Sequence, residues 1–582
     1  MIISVSSDKP TFRTVYFKPG FNVILAERTK ESTKKDSRNG LGKSTLIEII
    51  HFCLGGNKGE TLSKKEMNNW TFSIELNLLG GIFFISRNTD SGNKIIVGGD
   101  FSILPIKPVY DKKNGFYFYT RDHWNTLLGN LLFGLPVAHD ETMYEPTFRS
   151  LISYFIRKNG RSGAFLNPFQ HNKNQREWDM QVNNAFLLGL NWKYASKLQV
   201  LKDRKKVIDQ IKIEAKSGIL SALMGTIGEL EANMIRLEDQ IKSEAMQLSS
   251  FRVYPQYAEI ESESNDLTKK ITELTNENVL DKNFLHNYKK SLTDETDIEE
   301  ELIRKIYSDA GLYFPENVTK RIEDVLEFHK KVIKNRKDFL GIEIKRLQEK
   351  IISREKEKED IDKKRSKLMG ILKNHGALDE YNKLQNRYQE KVSELQNIKL
   401  KIENLKKFEE SKSTLSIDME LLFKEAKVEI SERQKQKEDA ILLFNRNSQA
   451  LYDVPGTLSI NVEKSGYKYK VDIERSGSHG IGNMKIFCYD LMLAKLWATK
   501  KQSPRLLIHD SILFADVDER QKAHAIELAA KESEKLGFQY ICALNSDNLP
   551  NNDFSQDFDL DKFVCCRFTD ATEDGGLLGI RF

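Results

Sequence analysis

Ser37-Arg38-Asn39-Gly40-Leu41-Gly42-Lys43-Ser44-Thr45 follows the apolar run Phe21–Ala26 and leads into the helical pattern Leu46–Ile50. A strand, a glycine-bearing turn and a helix opened by Gly42-Lys43-Ser44-Thr45 make a site for a nucleoside triphosphate. Backbone N–H groups and the positive end of the helix dipole converge on the phosphates. Asn39, Gly40, Gly42 and Thr45 line the cradle, Lys43 reaches the β and γ phosphates, and the Ser44 hydroxyl ligates Mg²⁺. The reading implies ATP and Mg²⁺ as the bound species. One departure is visible: Ser37 stands where the first glycine of the G-x-x-x-x-G-K-[ST] pattern falls, and a polar stretch from Arg28 to Arg38 separates strand from loop.

Working outward, 582 residues are enough for several domains, and 30% charged against 39% hydrophobic residues fits a soluble protein. A net charge of +5 is close to neutral for so many ionised groups, so any nucleic-acid surface must be local. The five cysteines form no C-x-x-C pair and no disulfide spacing, which points to a reducing cytoplasm. No run of apolar residues is long enough to span a membrane, and no signal peptide opens the chain.

The chain reads as three segments. Residues 1–192 alternate short β-like runs (Phe12–Phe17, Phe72–Leu78, Gly81–Arg87, Lys94–Val97) with turns, then turn helical, as over Trp124–Leu135. Residues 449–582 are again globular, with strand candidates at Lys468–Ile473, Arg505–His509 and Gln539–Ala543. Between them, residues 193–448 carry apolar residues three and four apart in a strongly charged background. Ile227, Leu230, Met234, Leu237, Ile241 and Leu248 keep a heptad register, as do Tyr381, Leu384, Tyr388, Leu395, Ile398, Ile402 and Leu405. This is a coiled-coil seam, since a solitary solvated helix has no need of a sustained apolar stripe.

Folding the two runs about residues 308–316 gives an antiparallel hairpin of about 110 to 130 residues per arm, roughly 165–195 Å at 1.5 Å per residue. Breaks at Tyr254-Pro255 and at residues 374–377 lie about 58 residues before and about 63 after Tyr313. They would face each other as an elbow. The hairpin returns residue 192 beside residue 449, so both flanking segments build one α/β ATPase head with a coiled coil inserted.

The second lobe of such a head supplies a signature loop, an acidic residue at a strand end and a γ-phosphate sensor. Ser476-Gly477-Ser478-His479-Gly480 precedes the helical pattern Met484–Trp497, and its Ser476, Gly477, Ser478 and Gly480 can approach a phosphate closely. A plain flexible turn has the same composition. Asp510 ends the strand Arg505–His509, where a carboxylate holds Mg²⁺. Ser511 follows it, in the place where a glutamate usually activates water, and a serine at neutral pH is no such base. Asp516, Asp518 or Glu519 could supply the carboxylate, or could cap the helix Glu519–Ala530. Asn545, after the strand Gln539–Leu544, either touches the γ phosphate or forms a turn with Ser546-Asp547. Gln170 is the candidate for the glutamine that reaches Mg²⁺, with Gln175 and Gln181 as competitors.

This order of P-loop, long heptad hairpin, Ser/Gly signature, acidic strand and terminal sensor resembles the SMC and RecN class of ABC-type ATPases over essentially the whole chain. More narrowly, Met484-Lys485-Ile486-Phe487-Cys488, the triplet His509-Asp510-Ser511 and the closing Gly575-Gly576-Leu577-Leu578-Gly579-Ile580-Arg581-Phe582 look like SMC-like proteins of bacterial multi-component defence operons against phages and plasmids. The resemblance implies a homodimer whose two heads sandwich two ATP molecules, with Lys43 and Asp510 from one head and the signature loop from the other. It also implies double-stranded DNA as a ligand, and a separate effector such as a nuclease with an accessory subunit. No zinc hook is implied, because no cysteine lies near the hairpin tip. Arg157, Lys158 and Arg161 are candidates for following DNA phosphates, although a basic loop is more often simply solvated. Two other readings stay open: a nucleotide-binding coiled-coil scaffold with little turnover, for which Ser511 speaks, and a toxin-type enzyme, against which the lack of metal-ligand spacing among the histidines speaks.

Overall fold

The computed structural model describes residues 1–27, 40–137, 144–158, 164–216, 226–250, 255–294, 316–372, 378–473, 479–570, 572 and 574–580. The chain divides into two compact units, one of Met1–Leu201, Lys305–Glu323 and Met419–Phe582, the other of Lys202–Arg304 and Asp324–Asp418.

The centre of the first unit is a five-stranded sheet to which both ends of the polypeptide contribute. Its order is β14 (Val564–Thr569), β3 (Phe21–Glu27), β13 (Gln539–Asn545), β12 (Leu506–His509) and β9 (Ile156–Arg157), and every neighbouring pair is parallel. Strands buried on both faces need continuous apolar runs, which Val23-Ile24-Leu25-Ala26 and Tyr540-Ile541-Cys542-Ala543 supply. A parallel sheet puts all its carboxyl ends at one edge, where ligands bind in open α/β folds. Glu27, Arg157, His509 and Asn545 end their strands at that edge.

A second, antiparallel sheet of seven strands runs β2 (Val15–Tyr16), β1 (Ile2–Ser7), β4 (Thr71–Leu78), β5 (Gly81–Asn88), β6 (Lys94–Gly98), β8 (Phe116–Thr120) and β7 (Val109–Asp111). α1 (Lys43–Cys53) is buried at every position but Ser44, which explains its apolar residues on all sides. Its carboxyl end is met by two buried arginines: Arg87 donates to the carbonyls of Phe52 and Gly56, and Arg149 to that of Leu54 at 3.0 Å. Cations there complement the helix dipole and leave the positive end of α1 turned to the sheet edge.

The helices that leave this unit are α5 (Trp192–Lys216) and, on return, α9 (Leu378–Glu432) and α10 (Gln434–Tyr452). The unit boundaries fall at Leu201 and Met419 rather than at 192 and 449. The reason is packing: Tyr194, Ala195, Leu198, Leu422, Ala426, Ala440 and Phe444 belong to the same core as the sheets.

In the second unit, α6 (Ile227–Ser250) packs on α9 through Leu230, Leu237, Ile398 and Ile402, with Ile227, Met234, Leu395 and Leu405 around them. Ion pairs Lys391–Glu244 (2.7 Å), Lys399–Glu238 (2.8 Å) and Lys406–Glu231 (3.0 Å) make the two helices antiparallel. Such exposed pairs contribute at most about 1 kcal/mol each, so they report orientation more than stability. Pro255 opens α7 (Pro255–Asp294), the position where a missing N–H costs nothing. Here the helices change direction. Asn265 Oδ1 accepts from Tyr381 (2.7 Å) and Gln385 (3.2 Å), and Asn276 Nδ2 donates to Gln396 at 3.4 Å, so α7 runs parallel to α9. Residues 396–399 of α9 thus touch α6 at Glu238 and α7 at Asn276. α6 and α7 run in opposite directions, so the two do not continue one straight line. Along its length α7 also meets α8 (Glu316–Leu372), where Arg354 pairs with Glu277 and Asp281. The expected apex at 308–316, apart from Glu316, and the expected breaks at Tyr254 and 374–377 lie outside the described residues.

Candidate functional site

The turn before α1 is set by Gly42, whose φ of 99° lies in the left-handed region. A Cβ there would stand 2.4 Å from Leu577 Cβ, and Leu577 N donates to Leu41 O at 2.9 Å. The closing segment is thereby folded against the loop, which accounts for its glycine-rich composition. The first intrahelical bond of α1 runs from Leu46 N to Gly42 O. N–H groups in a first helical turn have no intrahelical acceptor, and here they sit at the sheet edge with no acidic residue among them.

Across the edge, Ser44 Oγ donates to Asp510 Oδ2 at 2.5 Å, and Ser511 Oγ to Asp510 Oδ1 at 3.1 Å. Asp510 is 1% exposed and Lys43 8%. A hydroxyl from the first turn of α1 and a carboxylate from the end of β12, 466 positions apart in sequence, therefore converge. Among the described residues no three of His, Cys, Asp and Glu gather as a metal cluster. Ser44 and Asp510 fit a divalent ion that takes its other ligands from phosphates and water, the usual situation of Mg²⁺.

Asn545 and Ser511 line one small crevice with Phe514, Lys522, Ile526, Leu544 and Asn548, and Asn545 Oδ1 is buried without a hydrogen-bond partner among the described residues. Gly480 lies in the first turn of α11 (His479–Ala498), so close to the next loop that a Cβ would be 2.2 Å from Asp516 O. Asn483 Nδ2 donates to Ala515 O at 3.0 Å and fixes the same contact. Gly480, Asp516 and Asp518 line a cleft of about 410 Å³ with Tyr452, Asp453 and His524. Asp518 is the N-cap of α12 (Glu519–Leu536), accepting from Arg520 N at 3.1 Å, and Glu519 is an exposed first-turn residue. The carboxylates after Ser511 thus belong to a helix start and to the Gly480 cleft, while Asp510 faces Ser44.

Gln170 contributes its carbonyl to Arg157 at 2.7 Å. The side chain of Gln175 is bonded to Tyr154 and Asp179, and that of Gln181 to Glu177 and Ser465 O. Asn39, Ser476, Gly477, Ser478 and Arg161 lie outside the described residues.

Arg157 corrects the sequence reading. It is fully buried, not a phosphate-tracking surface residue. Its guanidinium holds Asp490 through Nε at 2.5 Å and Nη2 at 2.8 Å, and donates to the carbonyls of Ala164, Pro168 and Gln170. His509 completes the cluster, with Nε2 3.1 Å from Asp490 Oδ2 and Nδ1 3.1 Å from the Tyr540 hydroxyl. Burial lowers its pKa, against the opposing pull of Asp490, so the ring is neutral at pH 7. Asp490 was missed from sequence; a lone carboxylate inside the apolar run Ile486–Leu493 was the available signal, because such a residue is buried only when paired.

With this geometry in view, comparisons with known proteins place the chain among relatives. Residues 447–582 match the family described as "Uncharacterised protein conserved in bacteria (DUF2326)", and residues 285–409 match "C-terminal domain 10 of the ABC-three component (ABC-3C) systems". "Uncharacterized protein YydD" of Bacillus subtilis (strain 168) is 22% identical over 593 residues, covering 97% of this chain and 96% of that protein. Among solved structures, the Smc head domain with a coiled coil and joint from Pyrococcus yayanosii aligns over 95% of this chain and 93% of its own at 15% identity and a TM-score of 0.35. RecF-ATP aligns over 98% and 96% at 11% identity and a TM-score of 0.28. Among the described residues no helix is long and apolar enough to cross a membrane.

Proposed function

We propose that the chain is an SMC-like ATPase that binds ATP with Mg²⁺, pairs through its heads, engages double-stranded DNA and signals to a separate effector, such as a nuclease, in a bacterial defence system. The observation that carries this reading is the 2.5 Å bond between Ser44 and Asp510, beside a helix start whose N–H groups face the sheet edge. Ser44 and Asp510 would hold the ion, Lys43 and the turn at Gly40–Gly42 the phosphates, and the positive end of α11 would face the phosphates of a second head. Magnesium would supply charge neutralisation between the β and γ phosphates. DNA and effector rest on the resemblance and on the match to a three-component-system domain. Sedimentation velocity with and without ATP tests the first step. Wild type sediments as a dimer only with ATP, and Lys43→Ala stays monomeric; a profile indifferent to both nucleotide and substitution refutes it.

A slower, scaffold-like variant of this function has its own support. Ser511 donates to Asp510, and Asp518 is engaged as a helix cap, so neither stands ready as a base beside Asp510. Positioned general bases contribute about 10²–10⁴ in rate. Single-turnover phosphate release should therefore be slow in wild type and faster in Ser511→Glu.

A further inference from the structure

The cluster of Arg157, Asp490, His509 and Tyr540 takes no direct part in holding a nucleotide, yet it joins four elements around the site, α11, β12, β13 and β9. Asp490 belongs to α11, which opens with Gly480. His509 precedes Asp510, and Tyr540 lies on β13, the strand that ends at Asn545. Arg157 belongs to β9 and gathers the loop that carries Gln170. Arg157, Asp490 and His509 have no exposed side-chain surface.

We propose that Asp490 is a positioning residue that keeps the Gly480 end of α11 in register with Asp510, by joining α11 to β12 through His509 and to β9 and the Gln170 loop through Arg157. The inference rests on the nucleotide-site reading above. Both oxygens of Asp490 are committed: Oδ1 to Arg157 Nη2, and Oδ2 to Arg157 Nε and His509 Nε2. A bidentate guanidinium–carboxylate pair fixes direction as well as distance. α11 therefore cannot rotate or slide against the sheet without breaking it. Gly480 lies ten positions from Asp490, about 15 Å along the helix, so a small tilt at Asp490 becomes a displacement of the surface meant for a second head. Apolar side chains would fill the same volume, and buried charges are retained most credibly where they specify geometry.

The test separates positioning from simple stability. His509→Phe/Tyr540→Phe removes the link to β12 and β13 while leaving the Arg157–Asp490 pair in place and without creating an unpaired partner at Tyr540. His509→Gln restores an amide near the position of Nε2. A fluorescent ATP analogue at low protein concentration measures nucleotide affinity, and sedimentation velocity measures ATP-dependent pairing. The double variant is expected to keep affinity within threefold of wild type and to lose at least tenfold in pairing; His509→Gln is expected within threefold on both. Unchanged pairing in the double variant overturns the proposal. Equal losses of affinity and pairing that follow a fall in melting temperature also overturn it, because they describe a structural role. A wild type that binds no ATP analogue refutes the nucleotide reading itself, and this proposal with it.

Discussion

Replacing Arg157 with Gln should act on stability and leave DNA affinity alone. The guanidinium holds a fully buried carboxylate at 2.5 and 2.8 Å and also donates to the carbonyls of Ala164, Pro168 and Gln170. Removing one partner of a buried pair costs about 3–5 kcal/mol, because the other charge stays desolvated. Against a typical domain stability of about 5–15 kcal/mol, that is a large fraction. Equilibrium unfolding in guanidinium chloride should show the midpoint falling with little change in slope. The double variant Arg157→Met/Asp490→Leu should regain most of the loss, since replacing both members of a buried pair by apolar groups is often neutral. The reasoning is refuted if Arg157→Gln leaves the midpoint unchanged and instead reduces the salt dependence of DNA binding, the signature of a lost phosphate contact.

Two further outcomes follow from the same contacts. His51 is buried, with Arg149 Nη2 2.8 Å from its Nδ1 and the Ile156 carbonyl 3.0 Å from its Nε2, and burial and Arg149 hold its pKa well below the ordinary 6.5. Below pH 6.5 the unfolded chain takes up a proton that the folded chain refuses, so stability falls as pH falls, by at most about 1.4 kcal/mol per pH unit for each such histidine. Urea unfolding should lose about 1 kcal/mol for each such histidine from pH 6.5 to 5.5, and because His509 shares the behaviour His51→Gln should reduce the dependence without abolishing it; a dependence identical in both proteins contradicts the assignment. In the helical unit, a short bismaleimide should join cysteines placed at 244 and 391 and, separately, at 265 and 381, both within one chain. Failure at 265 and 381 with success at 244 and 391 would contradict the reversal of α7 against α6.

The strand and helix around the glycine turn and the strand before Asp510 were legible because each is a local pattern: a glycine turn before an apolar helix, and a run of Leu-Leu-Ile-His leading to Asp510. The heptads named the right seam, since Leu230, Leu237, Ile398 and Ile402 do pack together. Three things were not legible. β9 is only two residues long, so nothing in its periodicity marks Ile156–Arg157 as a core strand, and Arg157 read as a surface cation. Its partner Asp490 lies 333 positions away, beyond the reach of any local pattern. The breaks at Tyr254-Pro255 and 374–377 read as an elbow, but the full reversal of α7 against α6 shows in polar contacts such as Asn265 with Tyr381, whereas heptad spacing states only that a helix has a partner. The cap role of Asp518 was weighed from sequence and is what the backbone of α12 uses.

Calorimetric titration of ATP, with and without Mg²⁺, into wild type, Lys43→Ala and Asp510→Asn addresses the joint site most directly. Wild type should bind one ATP per chain with affinity strengthened by Mg²⁺. Lys43→Ala should lose at least about tenfold, about 1.4 kcal/mol, and Asp510→Asn should lose the Mg²⁺ dependence. An absence of binding in wild type, or three proteins that titrate alike, would contradict a nucleotide site built from the two ends of the chain.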